Sequence, residues 1–293
     1  MFMDTWMDVQ PAAITQSNTQ RATRRERHPI AFCVASLLAF FWLVPLAWVI
    51  LVSFKPQGSN VMNATGWVTP PYTIENYIEV FTKAPVALWI WNSFLVAVIT
   101  TFLALLLSTL CAFPFSLGSF FGSRFLMFLI AIGLMVPGEA TLIPLYVVFR
   151  NLNWLDSYQA LILPGIAIPF GVLLLKQFFD GLPRELFEAA MMDGCGIVRM
   201  LFQIAVPLSR PALAALGIFT FLGSWNNFLW PFISTTSPQI MTIPVGIPFF
   251  NSSYHTDYTL PMAANVVVSV PVLVAFLLFQ KQIIKGISFT GLK

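Results

Sequence analysis

Charge is what this 293-residue chain has least of. Asp, Glu, Lys and Arg together make up 9% of it, where a soluble domain carries about 25%. That leaves about a third of the charge a water-facing surface needs, and it all but excludes a soluble globular enzyme. The net charge of +3 is too small to suggest nucleic acid. There are only two histidines, His28 and His255, and three widely separated cysteines, Cys33, Cys111 and Cys195. No Cys-x-x-Cys or Cys/His spacing occurs, so neither a disulfide framework nor a metal site is indicated. No phosphate loop of the form G-x-x-x-x-G-K-[ST] is present, so the chain has no means of its own to hydrolyse ATP.

What the chain has instead is apolar length. Hydrophobic residues account for 58% of it, and the mean hydropathy is +0.80. The apolar segments are continuous and long. They do not alternate over about ten residues, so the expected fold class is an all-α polytopic membrane protein, not a barrel. A spanning helix needs about 20 apolar residues. Six such segments lie near residues 30–53, 86–113, 125–149, 159–179, 208–232 and 260–280. The first is too long for a signal peptide and has no small-x-small cleavage site. The domain organisation follows: a polar N-terminal tail over 1–28, a six-span membrane domain over 29–283, and a C-terminal tail over 284–293.

Cation placement orients the six spans. With both termini in the cytoplasm, twelve Lys and Arg fall inside, including Arg21, Arg24, Arg25 and Arg27 of the tail and Arg184, Arg199 and Arg210 of the loop between spans four and five. Only Lys55, Lys83 and Arg150 fall outside, and residues 233–259 hold no Lys or Arg at all. Prolines and glycines cluster in spans three and four, at Pro137, Pro144, Pro164 and Pro169 among others. Ordinary kinking and backbone lining a wet cavity both account for such breaks.

The longest cytoplasmic loop runs over 180–207. Pro183 suits a first helical turn, Glu185 and Glu188 suit its positive end, and Gly194 suits its stop. A second short helix is expected from about Ile197 to Ala205, ended by Pro207. Leu186, Phe187, Ala189, Ala190 and Met191 are too apolar for a solvated loop. They fit an amphipathic helix laid into a partner's groove, or equally one resting on the membrane surface or on the chain's own core.

The order Glu188-Ala189-Ala190, Gly194, Ile204, Val206-Pro207 resembles the EAA loop that marks the membrane subunits of binding-protein-dependent ABC importers. Val206 stands where the family pattern has Leu. Further stretches look like the carbohydrate-uptake branch of that family: Asp193-Gly194, Trp225-Asn226-Asn227-Phe228-Leu229-Trp230-Pro231, and Tyr72 to Tyr77. The ending from Gln280 to Lys293 is similar to the tail of the maltose importer's shorter permease subunit. The resemblance implies a multi-pass protein of the bacterial cytoplasmic (inner) membrane that is not itself an enzyme. It implies as partners a second, different permease, two ATPase subunits that hold ATP and Mg, and an extracytoplasmic binding protein that delivers a sugar or oligosaccharide. It assigns ATPase docking to Glu188, Ala189, Ala190, Asp193 and Gly194, with Asp193 capping the second loop helix. It gives the residues from Gly286 to Lys293 a contact between the ATPase subunits.

A charge inside a span is by default functional. Glu139, about fifteen residues into span three, therefore faces the solute pathway, faces a neighbouring permease, or anchors the Pro137 break. Tyr146, Trp225, Asn226, Asn227 and Asn265 supply the aromatic and amide groups that bind sugars, although aromatics at such positions also serve as packing or interfacial belts. Asn226 and Asn227 point in different directions, so at most one touches solute. His255 and Asp257, in an outer loop, make no metal site. A phosphorylated polyol as solute would require cationic groups in the pathway. A channel or secondary transporter would require inverted repeats or paired intramembrane charges, and only Glu139 qualifies.

Overall fold

The computed structural model describes residues 29–118, 120–250 and 257–290, and they are helical throughout, with no strand among them. The tail over 1–28, His255 and Lys293 lie outside the described residues. The first helix, α1 (Pro29–Ser53), and a later one, α4 (Val86–Leu117), are each long and apolar enough to cross a membrane unbroken. Between them come the short α2 (Ala64–Val68) and the amphipathic α3 (Glu75–Lys83).

The next expected spans are broken. Span three is two helices, α5 (Ser123–Gly133) and α6 (Gly138–Asn151), which meet at 99°. Pro137 sits at the break with extended backbone (ψ 133°). It has no N–H to continue the helix, and it pushes the residue before it out of the helical region. Span four is α7 (Tyr158–Ile162), a 3-10 turn to Gly165, then α8 (Pro169–Asp180), bent by 42°. In the loop that follows, α9 (Arg184–Met192) precedes α10 (Ile197–Met200), a π turn (Leu201–Ala205) and α11 (Val206–Leu208). The helical run therefore continues through Pro207, which does not end it as expected. The π turn explains why: Val206 bonds back to the carbonyl of Leu201, widening the helix where Pro207 offers no donor of its own.

At Ser209 the chain turns by 82° into α12 (Arg210–Trp225). This helix stops short of residue 232, and α13 (Leu229–Ser234) follows a three-residue break. The small α14 (Ile243–Gly246) precedes α15 (Thr259–Thr290), which runs past residue 283 without interruption. Counting each bent pair as one span gives up to five helices long and apolar enough to cross a membrane among the described residues; the apolar stretch Thr259–Val274 of α15 is shorter than such a span.

The helix α4 is the central post, packed against α8 and α12. One face of it carries Ser93, Ala97, Thr100, Ala104, Ser108 and Ala112, all buried. Small residues at three- and four-residue spacing let neighbouring backbones come close. At Gly171 of α8 a Cβ would lie 2.6 Å from the Ser108 hydroxyl, so only glycine permits this crossing.

The two ends of α4 differ. At its start, Trp89 donates from Nε1 to the Pro238 carbonyl, and Asn92 donates to the carbonyls of Gln239 and Met241. Ser93 accepts from the Ile243 N–H. These side chains fold the 238–243 segment over the bundle. The indole of Trp89 lies flat beneath Gly246, where a Cβ would come within 2.2 Å of it. Nearby, buried Asn76 donates to the carbonyls of Ser53 and Lys55, and the Lys55 ammonium reaches the Thr69 carbonyl and sits 4.3 Å from the Tyr72 ring centre. The Tyr72–Tyr77 stretch thus closes its own loop. At the other end of α4, Ala112 and Phe113 join the core that holds α9.

Candidate functional site: a docking helix and an open cleft

The helix α9 is held by one residue and presents the rest. Phe187 is buried, with its ring 5.8 Å from that of Phe113, which in turn meets Phe179 of α8 edge-on at 5.7 Å. Glu185, Leu186, Glu188, Ala189, Met191 and Met192 are exposed, Met192 at 89%. Ala190 is half-buried against the core. So of the expected docking residues, Glu188 and Ala189 stand on the open face, and Ala190 lies at its edge.

The stop at Gly194 is a Schellman turn. Gly194 has φ +76° and donates to Met191, and Cys195 donates to Ala190. Both bonds satisfy carbonyls that the helix end would leave open, and the left-handed residue between them favours glycine. Asp193 is the C-cap of α9. It does not cap the second helix, whose N-cap is Gly196 with no side-chain bond. Met200, Leu201 and Ala205 return to the core that holds Phe187. The loop is thus a helix–turn–helix keyed into the bundle on one side and open on the other. Gly286 lies within α15.

A cleft of about 580 Å³ opens beside the α5–α6 break. Glu139 stands in the first turn of α6 and lines it, and Asn227 reaches it from the break between α12 and α13. The other pathway candidates do not. Trp225 is 2% exposed and stacks on Phe221 at 5.9 Å in a core with Trp89 and Ala264. Asn226 donates to Leu222 and Asn265 to Pro261, each within one helical turn. Tyr146 packs against Phe149, Ala160 and Trp230.

The cleft has a residue that the sequence did not single out. Thr100 of α4 is 3% exposed, lines the wall, and its hydroxyl has no partner among the described residues. Helical Thr normally bonds its own preceding turn, as Thr220 does to Leu216. Thr101 beside Thr100, and Ser209, Ser234 and Thr242 elsewhere, likewise have buried hydroxyls without a partner among the described residues. Trp230, also on the wall, fixes its ring by donating to the Ala160 carbonyl at 2.7 Å. No group of three metal-ligating side chains occurs among the described residues.

At the end of the bundle away from α9, Asp257 accepts from the Thr259 N–H and hydroxyl and from the Gly58 N–H at 2.7–2.9 Å. Partial burial acts to raise its pKa, but these hydrogen bonds outweigh it and hold the carboxyl below its ordinary value.

One end of the bundle presents an exposed amphipathic helix, and the other is closed by loops folded over α4. Residues 104–289 match the family described as "Binding-protein-dependent transport system inner membrane component", and the chain belongs to it. It is 35% identical to the arabinooligosaccharides transport system permease protein AraQ of Halalkalibacterium halodurans over 262 residues, 88% of this chain and 94% of that one. It is 34% identical to the sulfoquinovosyl glycerol transport system permease protein SmoH of Agrobacterium fabrum, over 90% and 94% of the two chains. The fold matches a chain of a bacterial ABC transporter that imports the acidic polysaccharide alginate, with a TM-score of 0.76 over 88% and 97% of the chains at 21% identity.

Proposed function

We propose that this chain is one of two permease subunits of an ATP-driven importer for a sugar or oligosaccharide, lying in the bacterial inner membrane with six spans and both termini cytoplasmic. A binding protein delivers the solute on the outer side. Two ATPase subunits, which bind ATP and Mg, dock on the inner side and move α9. The open face of α9, anchored from beneath by Phe187 and stopped at Gly194, is the observation that carries this reading. The outer loops sit at the opposite end of α4, which suits an energy input and a solute entrance on different sides of the membrane. The contact between the ATPase subunits is assigned to the residues from Gly286 to Lys293, of which Gly286 to Thr290 form the end of α15.

Glu188 supplies a charged anchor for the ATPase subunit, and Ala189 lets its surface approach closely. The cleft at Glu139 and Asn227 belongs to the solute route. A phosphorylated polyol is the less favoured solute, because no Lys or Arg among the described residues of this chain lines the cleft. The test is purification of the tagged chain in mild detergent with its companions identified by mass spectrometry. An ATPase subunit and a second permease in comparable amounts are expected, and both are lost or weakened in Gly194→Val. Recovery of the chain alone, even after cross-linking, would overturn the assignment.

A further inference from the structure

The connection from α1 to α4 contains a helix to which no role has yet been given. On α3 and the Ile74 that opens it, three apolar side chains stand in the open: Ile74 is 64% exposed, Ile78 58% and Phe81 50%. Resting on the membrane topology proposed above, we infer that α3 lies along the outer surface of the bilayer. Ile74, Ile78 and Phe81 are seated at the acyl-chain boundary of the outer leaflet, so phospholipid is the partner of this face.

The helix has three faces. At about 100° per residue, the three apolar side chains share a stripe about 60° wide. Glu75, Thr82 and Lys83 follow on one side of it and are exposed. Asn76 and Val80 lie on the other side and are buried. The buried face is already matched: α3 packs on α15, and Val80 joins the core of Trp89 and Ala264. The polar face calls for water, and on it Glu79 pairs with Lys83 and accepts from Gln57. The stripe is left open among the described residues. A helix divided into apolar and charged faces lies in the plane of an interface, its apolar side dipping into the headgroup boundary.

Depth, continuity and charge put lipid on the stripe. Asn76 donates to the carbonyls of Ser53 and Lys55, where α1 ends, and α4 begins two residues after α3 does. So α3 lies level with the ends of two helices long and apolar enough to cross a membrane, where hydrocarbon gives way to headgroups. The apolar surface continues just inside α4, where Leu88, Trp91 and Phe94 are exposed and the two rings stand 6.2 Å apart. Exposed Trp near the end of a span marks the interfacial layer. A protein lid over the stripe would also strip water from Glu75 beside it, whereas at a bilayer surface that carboxylate stays at headgroup level. The seat has a use. Through Gln57 and Asn76 the outer loop is tied to α3, so lipid helps to hold that loop over the bundle.

The test begins with the wild-type importer, assembled in nanodiscs that contain a phospholipid with a diazirine near the glycerol end of one acyl chain. After irradiation, mass spectrometry should find adducts on Ile74, Ile78 and Phe81 about fivefold or more above those on Glu75 and Thr82. In a background without Cys33, Cys111 and Cys195, bimane on Ile78→Cys should be quenched by a nitroxide on the acyl chain and spared by aqueous iodide. Bimane on Thr82→Cys should show the reverse. Even labelling along α3, or iodide quenching of Ile78→Cys equal to that of Thr82→Cys, means that water covers the stripe and overturns the inference. Protection of Ile78→Cys from both quenchers means that protein covers it, and overturns the inference equally. An impermeant maleimide on intact cells separates the two levels. Thr82→Cys should react from outside. Reaction only after the membrane is opened removes the outer placement together with the topology, even where the lipid adducts persist. Outside reaction without lipid adducts removes the seat alone and leaves the permease reading standing.

Discussion

At Gly194 the backbone adopts φ +76°, a conformation that costs a residue with a Cβ roughly 1–2 kcal/mol. Asn tolerates it better than Ala, and a β-branched residue tolerates it worst. Replacements should therefore impair ATP-coupled uptake in the order Asn, Ala, Val, while membrane levels stay near normal. Equal activity in all three would separate this turn from coupling. Asp257 offers a pH test. Its carboxyl is held low in the fold, so its ties to Thr259 and Gly58 stabilise the protein fully above the ordinary carboxyl value of 3.8 and are lost as pH falls through the lower folded value. Asp257→Asn should lower the melting temperature near neutrality, and the difference from wild type should close in acid. A gap that widens on acidification would contradict the assigned sign.

Single residues were also where the sequence was least legible. Trp225, Asn226 and Asn265 have the right chemistry for sugars, but Trp225 packs in the core and each asparagine gives one amide N–H to a carbonyl of its own helix. Partners of that kind depend on packing, which residue type does not reveal. Thr100 was overlooked for the converse reason, since a threonine in an apolar helix looks ordinary until its usual partner is found missing. Around the Glu-Ala-Ala run, the apolar residues, the glycine stop and the length pointed to an amphipathic helix, but only the ordered resemblance of Glu188-Ala189-Ala190, Gly194 and Pro207 to a family motif singled out docking.

Among the elements, α1 and α4 follow directly from unbroken apolar length. The bent ones do not, because hydropathy counts apolar residues and carries no direction. Pro137 and Pro169 marked the breaks, yet a turn of 99° in one pair and 42° in the other is set by what each half packs against. The α4–α8 crossing is a measurable consequence. Gly171→Leu must displace Ser108 or Leu216, and overpacking of this sort costs about 1–3 kcal/mol. A lower melting temperature with reduced α9 coupling is expected, whereas Gly223→Ala, with open space around it, should leave the crossing unaffected. Phe187→Ala belongs to the same scale. Removing a buried aromatic costs about 3 kcal/mol or more, and its loss should uncouple ATP hydrolysis from uptake before it unfolds the bundle.

For the whole molecule, the proposed arrangement places residue 60 and residue 188 on opposite sides of the membrane. In a background without Cys33, Cys111 and Cys195, Asn60→Cys should react with an impermeant maleimide from outside and Glu188→Cys only after the membrane is opened. Labelling of both from one side would refute the topology.

The contact of Phe187 with Phe113 has a mechanical consequence. Because Phe187 wedges α9 against Phe113 of α4, a push from the proposed ATPase subunit would be delivered to α4 with little lost in local give. The 32 residues of α4 span about 48 Å at 1.5 Å per residue. A tilt of about 5° at the inner end would then swing the outer end by about 4 Å, comparable to the width of a sugar ring. On the proposed docking, α4 would act as a lever, with the Phe187–Phe113 contact as the point where force enters.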